Sequence, residues 1–334
     1  IGMNATQTAV IPNGQDGIYI EDSTDSNIWN NRISGNTDDG VEITGTSTGA
    51  EFLSNYIGLD AWGTTDLGNG GNGINISSAS VTIGATAYSG SLKNTISGNT
   101  GKGINVSAGA SQTIINNYIG CAIDGSTVVK NDSDAIYMAN NSVISSTIGG
   151  TADYESNLIC VANGAKGLNL VGTGDYNAIR ANNFAVEVGG SYTPIAISAG
   201  SNEDLATPVI INSTSSMASG TACASCTVDL YDDGTWLTST TADAGGAWEK
   251  HAYFDGSEIF AAATNASNST SGSTALTSIT ADATLPTAPT IDSDTSSTDT
   301  AAYTWTGTKD AYSSVKMNGV EVVAIDSSTT WSYA

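Results

Sequence analysis

The chain has 334 residues, of which 33 are Asp or Glu and 9 are Lys or Arg, so its formal net charge is −24 although only 13% of its residues are charged. A polyanion with so few cations cannot neutralise a phosphate backbone or settle on an anionic bilayer, which excludes nucleic acid and acidic lipid surfaces as partners. A hydrophobic fraction of 39% supports a large core and excludes the acidic disordered class.

With 38 Gly against 5 Pro, and Ser and Thr making up about a quarter of the chain, many short strands and tight turns are expected, hence an all-β protein. No apolar stretch approaches the roughly 18 residues of a spanning helix, and the front has no basic segment followed by an apolar one, so direct membrane insertion is not expected. Self-similarity then sets the architecture. The theme Asn31-Arg32-Ile33-Ser34-Gly35-Asn36 returns as Asn94-Thr95-Ile96-Ser97-Gly98-Asn99 and as Asn157-Leu158-Ile159-Cys160, with steps of 63 and 63. Between these copies, Asn55-Tyr56-Ile57-Gly58 returns as Asn117-Tyr118-Ile119-Gly120, a step of 62. A third theme recurs once per coil: Gly17-Ile18-Tyr19-Ile20, Gly40-Val41-Glu42-Ile43, Gly73-Ile74-Asn75-Ile76, Gly103-Ile104-Asn105-Val106, Ala135-Ile136-Tyr137-Met138, Gly167-Leu168-Asn169-Leu170 and the weaker Pro194-Ile195-Ala196-Ile197.

In each copy of this third theme an aliphatic pair brackets an outward residue, which is strand periodicity. Strands this short cannot stand alone, but coils stacked at about 4.8 Å pair every backbone group with the coils above and below. Seven coils give a rod of roughly 30 to 35 Å at that spacing. Asn31, Asn55, Asn94, Asn117, Asn157 and Asn183 are expected to stack as a structural ladder of amides at one corner. Ile1-Gly2 aligns with Ile57-Gly58, so the chain is expected to begin in mid-coil, with further coils or another subunit on its first edge.

These repeats resemble those of right-handed parallel β-helices in large secreted bacterial and archaeal surface proteins, which share the pectin-lyase-like fold. The resemblance covers residues 1–203. It implies a surface or adhesive protein, since many such copies have no known catalysis.

Beyond this stretch the composition changes: 25 of the 29 Asn lie before residue 203. A boundary is therefore placed at Asp204 to Pro208, followed by short alternating strands of a β-sandwich over 204–285. Cys226-Thr227-Val228-Asp229-Leu230-Tyr231 and Gly245-Gly246-Ala247-Trp248 resemble bacterial Ig-like modules. Leu285-Pro286-Thr287-Ala288-Pro289 reads as a stiff linker. Residues 286–334 are similar to a second Ig-like module, incomplete, with Asn318-Gly319 as a hairpin turn.

The chemistry is sparse. Polysaccharide hydrolysis needs converging carboxylates, and lyase chemistry needs a base with a cation. The only arginines, Arg32 and Arg180, fall in different coils, and the sole histidine, His251, lies in the second half. No catalytic residues are assigned. The column Asp16, Asp39, Asn72, Lys102, Asp134, Lys166 is expected to stack, with Lys102, Asp134 and Lys166 as a ladder of exposed ion pairs. At its other end Asp16, Asp38 and Asp39 form an acidic face onto which Ca2+ could bridge. Cys223-x-x-Cys226 lacks the setting of a redox motif, leaving a local disulfide or two strand-edge thiols. Cys121 and Cys160 fall at nearly matched positions in neighbouring coils, so a staple is expected if a turn absorbs their one-residue offset. Of eight glycosylation sequons, Asn75 and Asn105 face outward. Tyr231, Trp236 and Trp248 read as core aromatics rather than a sugar platform. The function expected is a non-enzymatic extracellular structural or adhesive protein, a stalk or filament subunit. Its partners would be copies of itself, further domains of the same protein, or surface glycans. The alternative is a carbohydrate-binding or polysaccharide-degrading β-helix.

Overall fold

A computed structural model describes residues 1–78, 80–85, 92–139, 143–152, 154–186, 190–280, 290, 305–309, 315–317, 320–323 and 328–333. The chain is essentially all-β. Its first two hundred residues wind through three parallel sheets in rotation, the arrangement of a parallel β-helix. The first sheet has seven strands, Ile18–Glu21, Val41–Thr44, Ile74–Ile76, Ile104–Val106, Ile136–Ala139, Lys166–Val171 and Thr193–Ile197, stacked in chain order. The second and third sheets have six strands each, the second running from Asn27–Trp29 to Ala178–Arg180 and the third from Arg32–Ile33 to Asn183–Val186.

The register keeps like over like. Ile18, Val41, Ile74, Ile104, Ile136, Leu168 and Ile195 pair in succession. In the third sheet Ile33, Ile57, Ile96, Ile119, Ile159 and Phe184 do the same. These columns, with Phe52, Ile83, Ile114, Ile148 and Ile179 of the second sheet, form one continuous buried core. β-branched side chains suit it because each fills the space above its copy without leaving the pleat.

Two columns of side-chain amides hold the corners. In the first, Nδ2 of Asn31, Asn55, Asn94, Asn117 and Asn157 donates to Oδ1 of the next member at 3.3, 2.9, 2.9, 3.0 and 2.8 Å. The same groups donate a second proton to backbone carbonyls, Asn55 to Ile28, Asn94 to Phe52, Asn117 to Ile83 and Asn157 to Ile114. Each fully buried amide is thereby satisfied. The column ends on Asn182, not on Asn183. Every ladder residue stands two positions before the inward residue of the third sheet, and the inward residue of that coil is Phe184, paired with Ile159. Asn183 instead opens the strand and accepts the Trp236 N–H at 2.9 Å. The second column, Asn13, Asn36, Asn69, Asn99 and Asn131, is linked amide to amide at 2.9, 2.8, 2.8 and 2.9 Å.

Residues 205–280 add two antiparallel sheets. One contains Val209–Ser213, Met217–Thr221 and Ala247–His251, and the other Thr235–Thr241, Thr227–Asp232, Glu258–Thr264 and Thr277–Ser278. The strands Thr227–Asp232 and Glu258–Thr264 are buried on both sides. Val228, Leu230, Ile259, Ala261 and Ala263 pack with Trp248 and Phe254 in a core of their own. Tyr231, Phe260 and Ala262 join the solenoid core instead. Phe184 meets Tyr231 and Phe260 edge-on at 6.0 and 5.9 Å, and those two rings stack at 4.3 Å. The last coil's open backbone is closed in the same place. Phe184 N–H donates to Gly234 O, Thr270 N–H to Asn177 O and Ser273 N–H to Ile195 O. Arg180 forms a two-pronged ion pair with buried Asp229 at 2.9 and 2.7 Å. The second unit is therefore a lid on the solenoid, covering an edge that stacking strands would otherwise leave exposed.

Further on, Trp305–Thr308 pairs antiparallel with Thr330–Tyr333, and Val315–Met317 with Val320–Val323. The linker expected at Leu285–Pro289 and the turn expected at Asn318-Gly319 lie outside the described residues.

Removing one ladder amide strands its neighbours' donors and acceptors. Asn117→Ala should lower unfolding stability by about 2 to 3 kcal/mol, whereas Asn27→Ala, on an exposed strand position, should change it by about 0.5 kcal/mol or less. Urea unfolding followed by fluorescence separates the two cases.

Candidate functional site

Asp16, Asp38 and Asp39 do come together, with carboxylate oxygens within 4.8 Å of one another. Their placement follows from stacking. Asp39 N–H donates to Asp16 Oδ1 at 3.0 Å, and Asn72 Nδ2 donates to Asp39 Oδ1 at 2.9 Å. Lys102 N–H continues the column onto Asn72 Oδ1 at 3.0 Å. Burial raises the Asp39 carboxyl above its usual range against the bonds from Asn72, and the charge of Asp38 adds to the rise. Glu42 is raised too, first by burial and then by Asp16, Asp39 and Asp38. An all-oxygen set of this kind suits a hard cation. One oxygen each of Asp16 and Asp39 is already an acceptor in the coil-to-coil column, which accounts for the cluster by itself.

The Lys102, Asp134, Lys166 column stacks through its backbone but does not form side-chain ion pairs. Lys102 Nζ lies 4.5 Å over the Tyr137 ring, and Lys166 Nζ donates to Asn169 Oδ1 at 3.2 Å. Asp134 is taken by Asn169 Nδ2 at 2.7 Å and by the Lys166 N–H at 3.1 Å. A neutral amide in the next coil reaches the carboxylate, and each ammonium finds a nearer partner than the exposed pair would offer.

Cys121 and Cys160 are joined across neighbouring coils, with Cα atoms 5.4 Å apart. The offset is absorbed at Gly120, whose φ is +80° and whose missing Cβ would fall 2.1 Å from the Cys160 carbonyl oxygen. Only glycine fits there. Cys223 and Cys226 are also joined, around one turn. The outward amides of Asn75 and Asn105 are half-buried, and Asn105 Nδ2 donates to Asn75 Oδ1 at 2.8 Å, so a glycan on Asn105 would break a stacked contact. Tyr231 and Trp248 are core residues and Trp236 packs against the solenoid core. His251 contacts Glu249 at 2.7 Å on the strand Ala247–His251.

A feature that the repeats alone do not reveal stands beside the third sheet. The stretches 3–10, 59–66 and 121–128 are hairpin loops closed by the bridges Met3↔Val10, Leu59↔Asp66 and Cys121↔Val128. They stack into a fin, Ala61 N–H donating to Gln7 O at 3.3 Å and Ile123 N–H to Gly63 O at 2.9 Å. Asn4, Asp60 and Asp124 each brace one loop by accepting its backbone N–H groups. The Thr127 hydroxyl, together with the N–H groups of Thr127 and Ser126, holds the Asp124 carboxyl down at about 2. Between fin and sheet lies a hollow of about 570 Å³ whose lining includes Arg32, Tyr56, Lys93, Thr95, Tyr118 and Ile123. The Arg32 guanidinium lies 3.5 Å over the Tyr56 ring, and Lys93 Nζ lies 4.4 Å over Tyr118 and donates to its hydroxyl at 3.2 Å. Each cation thus rests on a tyrosine of the following coil.

No family model matches the sequence, and no curated protein is significantly similar to it.

Two outcomes follow. Asp39 and Glu42 bind protons more tightly folded than unfolded, so their contribution makes stability rise as the pH falls from neutral toward their unfolded values of about 4. Asp39→Asn keeps the acceptor for Asn72, and should raise the neutral-pH melting temperature and flatten that slope in calorimetric scans from about pH 4 to 7. Reducing Cys121–Cys160, which closes a separation of 39 residues, should lower stability by about 4 kcal/mol in denaturant titrations of oxidised and reduced protein.

Proposed function

We propose that the chain is a non-enzymatic extracellular structural and adhesive protein, a right-handed β-helix with Ig-like modules that serves as a cell-surface stalk or filament subunit. The observation that carries this reading is the unbroken coil-to-coil stacking of core, amide columns and fin, closed at one end by the sheets of 205–280. Such a rod holds a binding surface away from a cell without any moving part. Two disulfides support an oxidising compartment.

The carboxylates support a structural role as well. Asp60 and Asp124 brace loops, Asp229 pairs with Arg180, and Asp16 and Asp39 sit in a stacked column. Glycosidase chemistry asks instead for a facing pair across an open groove. Calcium at Asp16, Asp38 and Asp39 is an addition to the reading and not its support; calorimetric titration with CaCl2 should give saturable heat that Asp39→Asn abolishes.

Antibody labelling of intact cells that express the protein tests the localisation. Surface label without permeabilisation is expected, and label only after permeabilisation contradicts it. Incubation with a panel of neutral and acidic polysaccharides should release neither reducing ends nor unsaturated sugars. Release that Asp39→Asn or a substitution of Arg32 abolishes would move the protein to the polysaccharide-degrading class.

A further inference from the structure

The hollow between the fin and the third sheet is the most distinctive unassigned chemistry in the molecule. In a chain with 33 carboxylate residues, its lining holds two cations and no carboxylate. Among the described residues neither cation has an ion-pair partner. The Arg32 guanidinium donates through Nε to Ala61 O at 3.4 Å and through Nη1 to Asn31 O at 3.3 Å, which leaves Nη2 without a partner. Among the described residues Lys93 donates only to Tyr118 Oη. The tyrosines fix both heads in place, which lowers the conformational cost of meeting a ligand.

We propose that this hollow binds an acidic glycan of low charge density, a sugar chain carrying a carboxylate or sulfate ester at intervals, laid along the stacking direction. The two cations stand two coils apart, a separation of about 10 Å at the strand spacing, and the hollow runs between them. Anionic groups on one extended chain can reach both. Apart from the cations the lining is neutral, with Asn30 and the tyrosine hydroxyls as donors and acceptors for sugar hydroxyls. Ile123 supplies an apolar wall, and the fin carries Trp62, 63% exposed, on the loop whose Ala61 carbonyl receives Arg32. An exposed indole one residue along from the Arg32 acceptor suits the apolar face of a sugar.

The net charge decides against a dense polyanion, which meets a surface charge of −24 over its whole length, whereas at physiological salt a sparse one feels mainly the two cations within about 8 Å.

The proposal builds on the adhesive half of the reading above. Calorimetric titration of the whole chain with three oligosaccharides of equal length, a uronate, a sulfate ester and their neutral parent, tests it at low and physiological salt. At least one acidic ligand should bind about ten-fold or more tightly than the neutral one, more weakly at higher salt. The pair Arg32→Gln and Lys93→Gln should lose about ten-fold or more in affinity, and Lys250→Gln should lose none. Asn30→Asp, at an exposed left-handed position that Asp tolerates, adds a negative charge to the hollow without touching either stack, and should weaken acidic binding more than neutral binding. Equal affinity for the neutral sugar, unchanged binding by these variants, or no binding of either acidic ligand overturns the proposal. Light scattering that shows dimers lost in the same variants, with no sugar bound, also overturns it by assigning the hollow to a second copy. In each of these cases a chain that still labels the cell surface leaves the stalk reading in place.

Discussion

Everything in this molecule depends on one constraint: a strand of two to six residues is stable only when the next coil lies directly over it in register. Backbone hydrogen bonds alone would allow a slip. The columns of isoleucine and of asparagine do not, because a slip of one residue would turn Ile119 outward and carry the Asn117 amide out of its column, leaving the buried amides of the neighbouring coils without partners. The amide columns are thus the register marks of the stack. They also explain the composition, since asparagine is concentrated where it tolerates left-handed neighbours and satisfies the donors and acceptors of the buried corners.

Stacking also creates the problem of the last edge. The double-sided burial of Thr227–Asp232 and Glu258–Thr264 solves it by giving one face of a sheet to its own core and the other to Phe184 and the end of the solenoid. Arg180 and Asp229 sit in this junction as the buried ion pair of the described residues. Such a pair adds less net stability than an apolar contact, but it penalises misdocking strongly because an unpaired Asp229 would remain buried.

The repeats made the solenoid legible. The Gly-Ile-x-Ile theme located all seven strands of the first sheet, and Asn-x-Ile located five of the six ladder residues. Asn182 was missed because its coil carries Phe184 where the others carry isoleucine, which shifted the apparent match by one. The second amide column was only half legible: Asn36 and Asn99 share the 63-residue step and Asn69 and Asn131 a step of 62, but the two pairs belong to different themes, so nothing in the repeats shows that they alternate in one stack. The junction was hidden for a different reason: a composition change reads as a boundary, whereas the cores meet across it. The cation and tyrosine pairs were likewise invisible, since Lys93 and Tyr118 become neighbours only through the stack. Charge alternation misled at Lys102, Asp134 and Lys166, where aromatic and amide partners lie closer than opposite charges.

The claim on which the rest stands is that the coils and the sheets of 205–280 form one cooperative structure with a shared core. Native-state hydrogen exchange resolved by residue tests it directly. The account predicts that the slowest amides of the middle coils, such as those of Ile104 and Ile119, and those of Leu230 and Ala261 exchange through a common opening with the same free energy and denaturant dependence. Faster, independent exchange of Thr227–Asp232 and Glu258–Thr264 while the coils stay protected would contradict it.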